Sequence, residues 1–173
     1  MILSQNSKPQ TDRHLIEDLN TQFADLDQYW CSLLDSCDDE TLYLKGFLTR
    51  NDGSHEISIG EMIRRSAALV EQMCGGLLSN LWDDPFEWTL PETLSTRASI
   101  SEYLAEVRIA RERTFSTFTC DSDLSRTIVV PSGEMCTLRD LLSQTLWKAS
   151  ESCRVSGKPA ESLGTRDSSR FII

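Results

Sequence analysis

The stretch Thr137–Arg154, TLRDLLSQTLWKASESCR, decides the fold class. Thr137 and Asp140 open it as a T-x-x-D cap, in which hydroxyl and carboxylate satisfy the first orphan amides of a helix. Behind the cap, Leu138, Leu141, Leu142, Thr145, Ala149 and Ser152 recur at i, i+3 and i+4, so they share one helical face. Halfway along, that face turns polar: Lys148 falls on it, one turn before Ser152. A lysine aimed at a core is costly unless it is paired. Lys148 is therefore either a snorkelling edge residue or part of an internal polar site.

The same signature occurs twice more, at Ser58-Ile-Gly-Glu61 and Ser99-Ile-Ser-Glu102. The first leads into the stripe Ile59, Met62, Ile63, Ser66, Val70, Met73 and Leu77. Ile100, Leu104, Val107, Phe115 and Phe118 follow the second, with Arg111 interrupting them. A fourth helix precedes these, capped by Thr11 or Asp12, with Leu15, Leu19, Phe23, Leu26, Trp30, Leu33 and Leu34 on one face. Its acidic face (Glu17, Asp18, Asp25, Asp27) reads as solvent. Four stripes on helices of about 18–25 residues predict an all-α chain, an antiparallel four-helix bundle with long crossover loops.

Those connections carry their own signals. Asp38–Ile57 predicts a helical turn at Glu40–Leu44, then the turn cluster NDGSH. Trp82–Thr96 is rich in aromatics, and Thr127–Val130 before Pro131-Ser-Gly133 predicts a short extended segment. The bundle is placed at 12–155 and a polar C-terminal tail with an apolar end at 156–173.

At 173 residues the chain suits one domain. Its net charge of −10 argues against binding nucleic acid or an anionic membrane. No apolar run approaches the roughly 18 residues of a bilayer span, and MILSQNSKPQ lacks the apolar core of a secretory signal. The six cysteines (Cys31, Cys37, Cys74, Cys120, Cys136, Cys153) form no CxxC pair. They read as reduced, mostly packed thiols of a cytoplasmic protein. His14 and His55 read as surface residues.

The candidate site rests on Lys148 and Ser152, stacked four residues apart. Arg65 flanks the second helix's stripe and can point into the same space. Glu61 and Gln144 complete the candidate ligand pocket, and Glu106 and Glu112 are further acidic partners. The simpler account pairs Arg65 with Glu61 and Lys148 with Glu151 at the surface. Cys153 lies nearby, where an ammonium lowers a thiol pKa, although a packed inert thiol is the plainer reading.

The segments S58-IGEMIRRSA-A68, S101-EYLAEVRIARE-R113 and T137-LRDLLSQTLWKASESC-R154 resemble the DinB-like family, over roughly residues 12–155. That family comprises a DNA-damage-inducible protein and bacterial thiol-dependent transferases. The resemblance implies a four-helix bundle that is often dimeric. It also implies a divalent metal held by one histidine seven positions after the Ser of the first cap and by two more, four apart, on the last helix. Those positions are Arg65, Lys148 and Ser152 here, so no metal or other cofactor is expected.

The expected function is a metal-free protein that binds a small anionic or thiol ligand, or a stress-associated interaction protein. The alternative is a thiol-dependent transferase or hydrolase-like enzyme using Lys148, Ser152 or Cys153 in the same inter-helix pocket. A homodimer is expected from Trp82, Phe86 and Trp88, and from the apolar end Phe171-Ile172-Ile173.

Overall fold

The computed structural model describes residues 12–45, 49–50, 57–82 and 89–156. Four helices dominate it: α1 (His14–Asp35), α2 (Ile59–Ser79), α3 (Arg97–Ser116) and α4 (Leu138–Ser152). Short strands β1 (Thr49–Arg50) and β4 (Val155–Ser156) pair antiparallel, Thr49 opposite Ser156. A second antiparallel pair, β2 (Thr127–Val129) and β3 (Met135–Thr137), follows the 3-10 turn Asp121–Ser125. The helical class is as expected. The extended segment at Thr127–Val130 is one arm of this hairpin, turned through Gly133 at φ +83°, a conformation that suits glycine.

The helix starts follow local chemistry, with two revisions. Ser58 accepts from the Glu61 amide at 3.2 Å, and Thr137 from the Asp140 amide at 3.1 Å, as their motifs predict. Ser99 does not cap α3. The cap lies three residues earlier at Thr96, and Ser99 is the reciprocal member of its box. The start of α1 has no side-chain cap at Arg13. Instead, the Asp121 carboxylate accepts from the amides of Leu15 and Ile16 at 3.0 and 3.1 Å. Thr11 lies outside the described residues. At the other end of α2, Asn80 takes the left-handed conformation (φ 55°) that closes a helix.

The core gathers Phe23, Trp30, Met62, Ile63, Val70, Met73, Ile100, Val107 and Leu142. Phe115 joins it through Phe23 and Phe118, each ring pair 5.6 Å between centroids. The central helix is α2, packed most extensively against α4 and α3. The α1 stripe is rotated slightly from expectation: Ile16 is buried and Leu15 is 43% exposed. Asp27, expected in solvent, is buried. Gly76 lets Trp82 pack directly on α2, because any Cβ there would meet the indole ring. Phe86, Trp88 and the segment 171–173 lie outside the described residues. No helix among the described residues is long and apolar enough to cross a membrane.

Candidate functional site

Among the described residues no hydrogen bond or ion pair joins the α2 members of the expected pocket to those on α4. Arg65 is half-buried and spent on Glu61, its guanidinium 2.5 Å from the carboxylate one turn earlier. On α4 the buried positions are Leu138, Leu142, Thr145 and Ala149. Lys148 sits roughly 90° from the centre of that stripe at 3.6 residues per turn and is exposed. Gln144 is exposed as well. The Ser152 hydroxyl donates back along its own helix to the Lys148 carbonyl at 2.9 Å. Glu151 pairs with Arg154 at 2.8 Å rather than with Lys148. Of the arginine doublet, Arg64 is the buried member, 8% exposed, with its Nε lacking an acceptor among the described residues.

A buried hydrogen-bonded chain links α1, α2 and α4. Trp30 Nε1 donates to Ser66 Oγ at 2.8 Å, and that hydroxyl donates to the Ala149 carbonyl at 2.7 Å. Cys153 is buried beside this chain, and burial pushes its thiol up to about 11 despite the opposing pull of Ser66 and Trp30. A thiol protonated at neutral pH is a poor nucleophile.

A different site lies between α1 and α3. Ala24, Asp27, Gln28, Cys31, Ser32 and Asp35 recur at i, i+3, i+4, i+7, i+8 and i+11, a second stripe on α1 beside the apolar one. They face Arg108 and Arg111, one turn apart on α3, across an open surface groove of about 370 Å³. That volume falls within the range of small-molecule pockets.

Arg111 forms the floor and is 4% exposed. Its Nε donates to Asp27 Oδ2 at 3.0 Å, another guanidinium nitrogen donates to Asn20 Oδ1, and Nη2 lies 3.6 Å from Glu112. Burial raises the Asp27 pKa, while the charge and hydrogen bond of Arg111, then the charge of Arg108, act to lower it. Burial wins. Asp27 Oδ1 is buried with no donor among the described residues. Arg108 is exposed and makes no ion pair among them. Asp35 is engaged by Arg97 Nη2 at 3.2 Å.

The interrupting Arg111 signals this site in sequence. Its partner is hidden, because Asp27 lies on a face crowded with other acids.

Among the described residues no three His, Cys, Asp or Glu side chains converge as a metal site. The donors at the positions implied by the family resemblance do not fit a divalent cation either. Arg65 and Lys148 present N–H donors rather than lone pairs, and Ser152 is already committed to the backbone. No family model, curated protein or solved structure matches the chain.

Proposed function

We propose that this chain is a small-ligand-binding protein on a DinB-like antiparallel four-helix scaffold, working without a metal, and that its ligand enters the α1–α3 groove. One observation carries the reading. The groove floor holds a buried charge pair, Asp27–Arg111, and beside it stands an exposed Arg108 that makes no ion pair among the described residues. Charged side chains of both signs that converge at a concave surface support a binding site.

The enzyme alternative has less support. It needs a reactive group in the α2–α4 space, where Ser66 and Trp30 are hydrogen-bonded and the Cys153 thiol is held protonated by burial.

A thermal-shift screen of polar metabolite-like fragments tests the reading on wild type, Arg108→Gln and Lys148→Met. A fragment at a hundredfold excess over its Kd adds about 2.7 kcal/mol, or roughly 5–10 °C for a chain of this size. Hits lost in Arg108→Gln and retained in Lys148→Met support the groove. The reverse pattern returns the site to α2–α4 and overturns the proposal.

A further inference from the structure

We infer that the ligand of the α1–α3 groove is a small monoanion, a carboxylate on an uncharged body, seated on the exposed Arg108 guanidinium; this rests on the groove reading above. Four ionisable side chains line the groove, Asp27, Asp35, Arg108 and Arg111, and their formal charges cancel. Their pairings do not. Asp27 is held by Arg111 at 3.0 Å, whereas Asp35 is engaged at 3.2 Å by Arg97, which does not line the groove. The other guanidinium nitrogens of Arg111 turn to Asn20 and Glu112. With both carboxylates engaged, Arg108 is the lining charge left without a counter-ion among the described residues.

A free guanidinium presents N–H donors in a planar fork, so a carboxylate, with two acceptor oxygens, completes it. One positive charge calls for one negative. A dianion such as phosphate would set its second charge against Asp27 and Asp35, in a chain that already carries −10. A cation would enter a groove whose uncompensated charge is positive, and would have to share the Asp35 carboxylate with Arg97.

Beyond Arg108 the wall is uncharged. Gln28 offers a carboxamide, Cys31 a thiol and Ala24 a methyl group. The Ser32 hydroxyl already donates to the Tyr29 carbonyl at 2.8 Å. Those surfaces suit an uncharged, partly apolar body and supply no second ionic contact.

Cys31 reports occupancy directly, because its thiol is exposed and lines the groove. Cys120 lies outside the lining and serves as the internal reference. Mass spectrometry of the full chain gives the alkylation rate of each thiol by iodoacetamide at pH 8 and constant ionic strength. The probes are acetate, butyrate and hexanoate, with the matched amides and amines as uncharged and cationic controls. The expected result is that butyrate slows Cys31 saturably and leaves Cys120 unchanged. Butyramide and butylamine should need about tenfold higher concentration or more for the same protection, since each forfeits the charged hydrogen bond to Arg108. Arg108→Gln, an exposed substitution, should raise the half-protecting concentration of butyrate by a similar factor.

Controls that protect Cys31 as well as the matched carboxylates overturn the monoanion. So does carboxylate protection that survives Arg108→Gln, and so does an absence of protection by all three carboxylates. In each case the groove reading stands where fragment hits of the thermal screen are lost in Arg108→Gln. If neither a carboxylate nor a fragment responds to that substitution, the groove reading falls and this inference with it.

Discussion

Arg111→Met removes the charge from the groove floor while keeping most of the side chain's volume, and its cost follows from what is left behind. Asp27 loses its 3.0 Å bond from Nε and becomes a buried carboxylate with both oxygens unpartnered. Breaking a buried ion pair on one side costs about 3–5 kcal/mol, which lowers Tm by roughly 6–20 °C in a chain of this length. The pH dependence has a definite sign. Burial already places the Asp27 pKa above its ordinary value, so the native state binds more protons than the unfolded one between the two values. Stability therefore falls as pH rises through that window and levels off above it. Without Arg111 the folded value climbs further and the window widens upward. The Arg111→Met deficit is thus largest at neutral pH and shrinks on acidification, as Asp27 takes up its proton. Urea melts of both proteins across a pH series measure this. Adding Asp27→Leu to Arg111→Met should recover most of the loss, because no buried charge then remains. A deficit within about 0.5 kcal/mol at pH 7, or one that grows on acidification, refutes the reasoning.

Three further outcomes follow from the same geometry. Ser66→Ala orphans the Trp30 indole N–H and the Ala149 carbonyl and should cost about 1–3 kcal/mol in chemical denaturation; a neutral result would mean that water fills the gap. Lys148→Met should leave stability within about 0.5 kcal/mol of wild type, since Lys148 is exposed; a large loss would restore it to an internal site. At pH 8 a thiol reagent should label Cys31, which is exposed, and Cys120, whose thiol is pulled down by the hydroxyls of Ser122 and Thr119, well before Cys74 and Cys153. Burial pushes both of the latter up to about 11, so quantitative labelling of either in the native protein contradicts their packing.

The sequence carried the helices through their period and caps, because those signals are local: Ser58 and Thr137 behave as their motifs require. It failed where a distant residue intervenes. Asp121 caps α1 from more than a hundred residues away, and no spacing rule reaches that far. Thr96 outcompetes Ser99 because either hydroxyl can begin the box, and only the path of the chain into α3 selects one. The site was half legible. Arg111 broke its apolar stripe and is the buried cation, whereas Asp27 stood among other acids with nothing to mark it as the buried one. Lys148 misled for the opposite reason. An edge position on a helix satisfies the i, i+4 pattern almost as well as a central one, and a long side chain there reaches water. In the Arg64-Arg65 pair, rotation of α2 by one residue decides which arginine is buried, and that depends on packing against α3 and α4.

The central claim is that ligand binds between α1 and α3 and not at the Arg65–Lys148–Ser152 positions on α2 and α4. Amide chemical-shift mapping of isotope-labelled protein, titrated with the strongest fragment from the thermal screen, tests it most directly. The account predicts that the largest shifts cluster at Ala24, Gln28, Ser32 and Arg108, which line the groove. Shifts concentrated instead at Glu61, Arg65, Gln144, Lys148 and Ser152, with the groove silent, would contradict it.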